Sequence, residues 1–426
     1  MAAGKSRQRI LALVMAGGKG ERLYPLTKYR SKPSVPFGGR YRVIDFVMSN
    51  LINSGIDSIY VLTQYKAQSL ISHIQRAWSF VMGARDAFAT IVPAQMQVGD
   101  VWYRGTADAI YQNLNLIEQF DPEAVAVFGA DHVYKMNIGQ MVDFHFEHGA
   151  AATVSCLPIP ATEVRPFGVV EVDEKFRIRR FVEKPEPPTA PRMPGRPDLA
   201  LVSMGNYVFN TNVLVDVLLH DAGEGGAHDF GKNIFPDLVS RSEVYAYDFT
   251  TNRIPVHGGH EVEQPYWRDI GTIASYYQAN MDLRQPDSEL NLFNWAWPIM
   301  SANYNTPPSK FMFDGDPGKG EAIDSLVMGG CLLAGGRVRD SVLSRNVSVE
   351  RRADVFGSIL MDNVVIGPGA RVHRAILDKN VHIAPNASVG LDAAADKARG
   401  YYVDEASGIT VVSKAPDTPE SRARYL

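Results

Sequence analysis

Cysteine is scarce in this chain of 426 residues, since only Cys156 and Cys331 are present and they are far apart. Two distant thiols give no disulfide framework, so we expect both to be buried and unreactive in a reducing compartment. No run reaches the roughly 18 consecutive apolar residues that would suggest a membrane span. The polar, basic N-terminus leads into a short apolar run that ends in a glycine turn instead of a cleavage site. We therefore expect a cytoplasmic protein without a membrane partner.

A strong net charge is also absent. Lys and Arg number 43 and Asp and Glu number 47, which gives a formal net charge of −4. This balance argues against a nucleic-acid partner held by bulk electrostatics, although local basic clusters can still bind small phosphorylated molecules. Hydrophobic residues make up 45% and charged residues 21% of the chain, as in globular proteins that bury a large core. The length favours two domains.

A glycine-rich turn near the N-terminus is the most informative local feature. The apolar run Ile10 to Met15 predicts a buried strand, and the turn after it contains Gly17, Gly18, Lys19, Gly20 and Arg22. Glycines allow the backbone N–H groups to approach a phosphate closely, and the two cations supply positive charge. The turn is not a Walker loop, because no Gly-Lys-Ser/Thr follows, and Leu23 replaces the third glycine of the dinucleotide fingerprint. It predicts a nucleotide-binding loop, although a structural strand-to-helix turn remains the alternative.

From Ile10 to about Arg284, short apolar runs alternate with helix-like segments. This alternation predicts an α/β domain with a mostly parallel sheet. Ligands of such sheets bind at the carboxyl ends of the strands. The glycine turn after Met15 and Asp131 after Phe128 both fall at such ends, which predicts that they line one crevice, although an Asp in this position can also be a simple cap.

The C-terminal part contains an internal repeat. Asn346, Asn363 and Asn380 are spaced by 17 residues, and Ala353, Ala370 and Ala387 keep the same interval. Apolar positions within each unit fall at steps of five or six, which excludes helical heptads and predicts three short strands per coil. A fixed period of this kind predicts a solenoid of stacked coils.

Seven blocks of sequence, in order, resemble the sugar-nucleotide pyrophosphorylases, and most closely the members that form ADP-glucose. The blocks are Lys32 to Phe46, Trp102 to Ala109, Gly129 to His132, Phe181 to Pro185, Ser203 to Phe209, His228 to Lys232 and Tyr266 to Thr272. The resemblance implies a Rossmann-like nucleotidyltransferase domain over 1–295, a linker over 296–320 and a left-handed parallel β-helix over 321–426. It also implies a homotetramer that uses Mg²⁺ and responds to sugar-phosphate or nucleotide effectors.

The implied reaction transfers the adenylyl group of ATP to glucose 1-phosphate and releases pyrophosphate, the step that supplies the glucosyl donor for glycogen. A pyrophosphorylase for another base, a non-catalytic regulatory subunit and a bifunctional acyltransferase are the alternatives. The cations and acids of the phosphate site are all present in the sequence, which favours the enzyme. The phosphate oxygen of glucose 1-phosphate is already ionised, so no general base is needed and catalysis depends on positioning and charge.

The resemblance also assigns candidate site residues. For ATP these are Arg22 at the β,γ-phosphates, Lys32 near the α-phosphate, the backbone of Gly17, Gly18 and Gly20, Gln64 near the phosphates, and Gln95 and Gly105 at adenine. For the metal they are Asp131 and Asp269. For glucose 1-phosphate they are Lys184 at the phosphate, Glu183 at the hydroxyls, and Tyr103, Gly168 and Ser203 in the same pocket. Arg22, Lys32 and Asp131 are expected to be catalytic.

Two further predictions concern regulation and the loop beside the sugar site. Arg30 and Arg42 match positions linked to effectors, whereas Tyr29 and Pro36 depart from the basic or histidine residues of some bacterial relatives. The proline-rich segment 185–197 cannot form regular structure. It is interpreted either as a mobile loop beside the sugar site or as a surface spacer.

Overall fold

The structure is a computed structural model that describes residues 8–81, 87–95, 102–258, 261–313 and 319–414. The described part before position 300 contains the strands β1 Ile10–Met15, β2 Pro36–Phe37, β3 Tyr41–Arg42, β4 Ser58–Thr63, β5 Phe88–Pro93, β6 Ala124–Gly129, β7 His132–Lys135, β8 Ala152–Pro160, β9 Gly168–Val172, β10 Ile178–Glu183, β11 Leu199–Asn210, β12 Val244–Asp248, β13 Ile254–Pro255, β14 Val262–Glu263 and β15 Tyr266–Asp269. Its α-helices are α1 Val43–Asn53, α2 Gln68–Ala77, α3 Thr106–Tyr111, α4 Leu114–Phe120, α5 Ile138–Glu147, α6 Thr211–Gly223, α7 Phe235–Arg241 and α8 Ile273–Asp282.

A nine-stranded mixed sheet organises this domain, with the order β10-β9-β11-β6-β1-β4-β5, and with β8 branching from β11 and β12 pairing with β8. The run β6-β1-β4-β5 is parallel, as the sequence predicts. β11 pairs antiparallel with β6, β8 and β9, so the half of the sheet beyond β6 is mixed. Strand β1 is buried on both faces: Leu11 and Leu13 join one apolar core, and Ala12 and Val14 join the other. This explains its unbroken apolar sequence.

A two-stranded ribbon, β7 with β15, lies outside this sheet. The pairing is antiparallel and sets Asp269 opposite His132 and Tyr266 opposite Lys135. Residues directly opposite in such a pair share one face, so the ribbon has a His132 face and a Lys135 face. On the latter, Nζ of the fully buried Lys135 donates to both carboxylate oxygens of Glu263, at 2.8 and 2.9 Å, and to the Asn291 carbonyl at 2.8 Å. All three ammonium protons are therefore satisfied, and the ribbon is fixed at its far end.

The C-terminal domain is a parallel β-helix. Its strands are β16 Lys310–Met312, β17 Glu321–Ile323, β18 Leu326–Val327, β19 Leu332–Ala334, β20 Arg337–Arg339, β21 Val342–Leu343, β22 Ser348–Val349, β23 Asp354–Phe356, β24 Ile359–Leu360, β25 Val365–Ile366, β26 Arg371–His373, β27 Ala375–Leu377, β28 His382–Ile383, β29 Ser388–Val389, β30 Tyr402–Val403 and β31 Thr410–Val412, with helix α9 Ala393–Ala398. They form three sheets of stacked short strands, consistent with the left-handed form.

The 17-residue period corresponds to successive coils. Val349 pairs with Ile366, Val355 with Val372 and Leu360 with Leu377. The repeated asparagines form a ladder in which Asn346 donates to Asn363 at 3.1 Å and Asn363 donates to Asn380 at 2.9 Å. All three have positive φ, a conformation that asparagine tolerates better than most residues. The repeat is therefore explained by a turn that recurs in each coil.

The first coil of the solenoid is irregular. β16 pairs with β19, and its Lys310 lies opposite Leu332, 22 positions further along the chain. This interval differs from 17, so the period could not reveal β16, which lies inside the predicted linker 296–320. The first strand of the solenoid is Lys310–Met312 in the structure. The domain bounds derived from the sequence stay a prediction.

The two domains share an apolar core. Leu23, Phe37 and Val43 from the N-terminal blocks pack in one cluster with Ile376 and Val411 of the solenoid. Next to it, Nη2 of the buried Arg30 donates to both oxygens of Asp378 at 2.7 and 2.9 Å. The segment that carries the predicted phosphate-binding residues is therefore held against the solenoid.

Two expectations from composition concern the cysteines and the membrane. Cys156 and Cys331 are both buried and unpaired, and burial raises the pKa of both thiols. Within the described residues, none of the helices has the length and apolar character that crossing a bilayer requires.

Candidate active site

The glycine-rich loop lies at the carboxyl end of β1. Gly20 has φ +64°, and a Cβ there would lie 2.9 Å from Cβ of Lys32 and 3.1 Å from Thr27. Gly20 is therefore required both by its backbone conformation and by the close approach of the Lys32 segment. Gly17 contacts Gln64, whereas a Cβ on Gly18 would meet nothing within 4 Å. The loop thus has one open backbone position and one tightly packed position.

Lys32 stands between the two predicted metal carboxylates. Its Nζ lies 3.3 Å from Oδ2 of Asp131 and 3.6 Å from Oδ1 of Asp269. The Lys32 side chain is 7% exposed, whereas that of Asp131 is 59% exposed and opens into the cleft. Lys32 is buried because it begins a short 3₁₀ turn, Lys32–Ser34, beneath the glycine loop. One cation and two carboxylates that are distant in sequence therefore meet at one point.

The electrostatics of this cluster favour ionised carboxylates. Desolvation in the cleft opposes the charge on Asp131, but the Lys32 cation and then the hydrogen bond from His132 outweigh it. Together they hold the pKa of Asp131 well below its usual range. A low pKa leaves the carboxylate available as a ligand for a hard cation at neutral pH.

Mg²⁺ fits this pair of residues. Asp131 and Asp269 already face one cation, the ammonium of Lys32, from two sides. Within the described ranges no group of three or more His, Cys, Asp or Glu residues forms a metal cage. Two carboxylates that leave the other positions to substrate and water oxygens are the arrangement that Mg²⁺ prefers at phosphate sites.

Arg22 also reaches this cluster. Its Nη2 lies 3.0 Å from the position that a Cβ on Gly271 would occupy, and both Asp269 oxygens lie within 3.1 Å of the same position. Gly271 therefore leaves space for a guanidinium and a carboxylate that a side chain at this position would displace. The structure brings Arg22, Lys32, Asp131 and Asp269 together beside the glycine loop.

The predicted sugar-phosphate residues form a second cluster. β10 ends at Glu183, and Lys184 then takes a left-handed conformation with φ +49°. Adjacent residues of a strand point to opposite faces, but this turn brings Nζ of Lys184 to 3.2 Å from Oε1 of Glu183. The carboxylate predicted to bind hydroxyl groups and the cation predicted to bind a phosphate thus lie side by side.

Glycines surround Glu183 on two sides. A Cβ on Gly168 would lie 2.9 Å from Oε2 of Glu183, and a Cβ on Gly231 would lie 2.4 Å from the same atom. Neither glycine has positive φ, so the requirement here is space. Gly231 was not predicted as a site residue, although it lies in the His228 to Lys232 block, because a sequence does not show which side chain a glycine must accommodate.

A bend after Tyr103 connects the two clusters. A Cβ on Gly105 would collide with the carbonyls of Ala227 and His228. One residue further on, Oγ1 of Thr106 lies 3.1 Å from Oδ2 of Asp229. The other oxygen of Asp229 caps the π-turn Phe230–Ile234 by accepting from the amides of Gly231 and Lys232. Gly105 therefore holds the turn that positions Gly231, a role that the sequence did not reveal.

The remaining predicted ligands lie on or after strands of the main sheet. Gln64 follows β4 and donates to the Tyr103 carbonyl at 3.4 Å, and Gln95 follows β5. The phenol of Tyr103 accepts from Asn113 at 2.9 Å. Oγ of Ser203 accepts from the Gly205 amide. These residues lie at or beyond the carboxyl ends of parallel strands, or on β11 beside them, as the crevice rule predicts.

The predicted effector residues lie where the domains meet. Arg42 lines a cavity of about 130 Å³ together with Arg40, Tyr304, Arg345, Asp362 and Lys379, among others. Arg30 does not appear in that lining, because its guanidinium is buried against Asp378. The backbone N–H of Lys379 donates to Asp378 at 2.7 Å, so Arg30 fixes the residue next to a cation of the cavity.

Comparison with known families identifies the class of protein. Residues 11–286 match the family model of nucleotidyl transferases, and residues 307–412 match that of the GlmU-like C-terminal hexapeptide domain. The chain is a nucleotidyltransferase followed by a hexapeptide-repeat domain, as the fold and the phosphate site indicate.

Comparison with individual relatives specifies the family. The chain is 51% identical over 411 residues to a glucose-1-phosphate adenylyltransferase of Thermus thermophilus, covering 95% of this chain and 98% of that relative. A protein of the same name from Deinococcus radiodurans is 46% identical over 96% of this chain and 99% of its own length. The corresponding protein of Aliivibrio fischeri is 47% identical over 95% and 98%. The chain belongs to the glucose-1-phosphate adenylyltransferase family.

Proposed function

We propose that this chain transfers the adenylyl group of ATP to glucose 1-phosphate, giving ADP-glucose and pyrophosphate for glycogen synthesis. The observation that carries this proposal is the presence of two clusters of matching chemistry in one domain, linked by contacts that run from Gln64 through Tyr103 and Thr106 to the turn at Asp229. Arg22, Lys32 and the glycine loop suit a triphosphate, and Glu183 with Lys184 suits a phosphorylated sugar. The names of the relatives agree with these two substrates.

The residues have separate roles in this proposal. The backbone of Gly17, Gly18 and Gly20 binds the triphosphate, and Arg22 neutralises the charge that develops on the β- and γ-phosphates as pyrophosphate leaves. Lys32 binds the α-phosphate, which the phosphate oxygen of glucose 1-phosphate attacks. Preorganised charge of this kind lowers the barrier because it needs no rearrangement during the reaction.

Asp131 and Asp269 are the proposed ligands of Mg²⁺. Bound there, the ion would neutralise negative charge on the converging phosphates. In this proposal Lys184 fixes the sugar phosphate and Glu183 accepts from sugar hydroxyls, with Tyr103, Gly168 and Ser203 around them. Gln95 and Gly105 are the proposed contacts to adenine, and Gln64 lies towards the phosphates.

An assay with four nucleoside triphosphates tests this function. Pyrophosphate release is expected to require ATP, glucose 1-phosphate and Mg²⁺ together, and it is measured with ATP, UTP, dTTP and GTP in turn. A preference of more than about tenfold in kcat/KM for another nucleotide, or about 1.4 kcal/mol in transition-state binding, would contradict the adenylyl assignment. Binding of sugar phosphates without any turnover would instead favour a regulatory subunit.

The cavity between the domains is the proposed effector site. Arg345 and Lys379 share Asp362 at 2.9 and 2.8 Å, and Arg345 also lies over the Tyr304 ring. With Arg40 and Arg42 the cavity has four cations around one carboxylate, which suits a phosphorylated effector. Burial lowers the pKa of Lys379 to about 8, partly offset by Asp362, so an arriving phosphate would strengthen its charge. Arg30 contributes by fixing Asp378.

A panel of sugar phosphates and nucleotides tests the effector site. We expect at least one compound to change kcat/KM by about 5- to 150-fold, the usual range of coupling between sites. Arg345→Ala should abolish that response and leave the unstimulated rate close to that of the parent. The proposal fails if no compound acts, or if the response persists in Arg345→Ala.

A homotetramer is the proposed assembly. Phe311, Ile323 and Leu332 of the solenoid are 49%, 42% and 43% exposed, and subunit contacts in this proposal would bury them. Light scattering is expected to give four times the chain mass of 47.0 kDa. A monodisperse monomer with full activity would contradict this assembly.

The cytoplasm is the proposed location, because two unpaired buried thiols suit a reducing compartment. Cell fractionation should recover the protein with cytoplasmic markers, and recovery with an exported fraction would contradict this.

A further inference from the structure

One face of the β7/β15 ribbon concentrates polar side chains beneath the site. His132, Tyr134 and Trp267 share this face with Asp269, because Trp267 pairs with Tyr134 and Asp269 pairs with His132. The His132 ring lies 4.7 Å from the Tyr134 ring and 5.9 Å from the Trp267 ring, measured between centroids. The imidazole is therefore enclosed by two aromatic rings and is only 5% exposed.

Asn206 closes this enclosure from the main sheet. It lies on β11 opposite Phe128, and its Oδ1 accepts from the Gly129 amide at 3.3 Å. That hydrogen bond fixes the orientation of the amide, so Nδ2 is left as a donor. Asn206 and Tyr134 are both fully buried, and the side-chain amides of Asn50 and Asn206 both lie close to the Tyr134 hydroxyl, although neither makes a hydrogen bond of good geometry with it.

Four buried polar atoms in this enclosure have no partner among the described residues. They are Nε2 of His132, the hydroxyl of Tyr134, Nδ2 of Asn206 and Nε1 of Trp267. Unpaired polar atoms are costly in a protein interior, each by about 1–3 kcal/mol, and natural structures rarely leave several together. Ordered water is the usual partner of such buried polar atoms.

On its other side the imidazole contacts the reaction site. Nδ1 of His132 lies 3.2 Å from Oδ1 of Asp131, while Oδ2 of the same carboxylate lies 3.3 Å from Lys32. A histidine that donates to a carboxylate from one nitrogen fixes the rotation of that carboxylate, and in the neutral ring its second nitrogen is then an acceptor. Each oxygen of Asp131 thus has its own neighbour, His132 for Oδ1 and Lys32 for Oδ2.

We propose that His132 is a positioning residue for Asp131, and that an internal water bound by Trp267, Asn206 and Tyr134 donates to Nε2 and so keeps the proton on Nδ1. Hydrogen-bond accounting supports this tautomer. Nε1 of Trp267 and Nδ2 of Asn206 can only donate hydrogen bonds. A water enclosed with them therefore accepts from both, and its own protons remain available for donation to an acceptor. Nε2 of His132 is that acceptor, and Nδ1–H then points at Asp131.

Three substitutions distinguish positioning from packing. His132→Asn keeps an N–H donor near the place of Nδ1, His132→Gln moves the amide towards the place of Nε2, and His132→Phe keeps a ring without polar atoms. With Mn²⁺ as the probe, binding to the full-length protein with ATP and without sugar phosphate is measured by electron paramagnetic resonance. We expect Gln and Phe to weaken Mn²⁺ binding about 10- to 100-fold, the usual effect of losing a partner of a metal ligand, and Asn to remain within a few-fold of the parent.

Kinetics and a matched control complete the test. The inference rests on the proposed function, but the Mn²⁺ titration needs no turnover, so failure of one is distinguishable from failure of the other. His132→Phe should lower kcat and leave the KM for glucose 1-phosphate unchanged. The control is His145→Phe, since His145 is equally buried but bonds to Thr153 and Asn210 away from the site. It should reduce thermal stability and leave Mn²⁺ binding unchanged.

Two results would overturn the proposal. One is equal Mn²⁺ affinity in the Asn, Gln and Phe variants, whether all weak or all parental, because a purely structural role would not distinguish the donor positions. The other is a high-resolution crystal structure in which Nε2 of His132 bonds directly to a protein atom, with no ordered water among the four side chains.

Discussion

Asp131→Asn is expected to lower kcat by about 10²- to 10³-fold, the range found when one preorganised electrostatic group is removed from a reaction site. Asparagine keeps the shape of the side chain but removes the negative charge that faces Lys32 at 3.3 Å. Because Lys32 retains Asp269 at 3.6 Å, the fold of the cluster should survive. The loss should fall mainly on kcat, since the charge acts where phosphate charge develops in the transition state.

Steady-state kinetics with both substrates varied checks this expectation. Asp237→Asn is a suitable control, because Asp237 is a surface carboxylate on α7 that pairs with Arg241. It should leave kcat unchanged. An Asp131→Asn enzyme with intact kcat and equal increases in both KM values would contradict the role of Asp131.

Lys184→Ala is expected to raise the KM for glucose 1-phosphate by about 10²-fold and to change the KM for ATP only a few-fold. The physical reason is the loss of a charge-assisted contact to the sugar phosphate, which costs about 2–5 kcal/mol when one partner is truncated. The truncation also frees Glu183, whose charge Lys184 offsets at 3.2 Å. A phosphate would then approach an uncompensated carboxylate.

A second variant changes the shape of the same pocket without changing its charge. Gly231→Ala places a Cβ 2.4 Å from Oε2 of Glu183, so the carboxylate must move and the KM for glucose 1-phosphate should again rise selectively. The matched control for Lys184→Ala is Lys175→Ala, in the turn between β9 and β10. The matched control for Gly231→Ala is Gly223→Ala, where a Cβ meets nothing within 4 Å. If the KM values for both substrates rise equally in Lys184→Ala, the pocket does not belong to the sugar phosphate.

Much of the site could be predicted because its chemistry lies in short blocks. Gly20, Lys32 and Lys184 each stand in a contiguous motif whose residue types already suggest phosphate binding. The parallel strands β1, β4 and β6 follow from unbroken apolar runs, and the solenoid follows from its 17-residue period. In these cases a local pattern has one dominant structural solution.

What could not be predicted depends on contacts between distant segments. The antiparallel course of β11 is set by its partners β6 and β8, and its residues read equally well as a parallel strand. Gly231 meets Glu183 only because the cap at Asp229 and the bend at Gly105 bring them together. The role of His132 likewise depends on which residues lie opposite it on β15. Arg30 matched an effector position by motif, whereas its partner Asp378 lies 348 residues away in the chain.

The central claim is that one crevice joins the adenylyl group of ATP to glucose 1-phosphate. Its most direct test is a ³¹P NMR time course of the full-length protein with ATP, glucose 1-phosphate and Mg²⁺, with the sugar product identified by mass. The account predicts that ADP-glucose and pyrophosphate appear in equal amounts while both substrates disappear together. Consumption of ATP to ADP or AMP without a sugar nucleotide, or no change in either substrate, would contradict it.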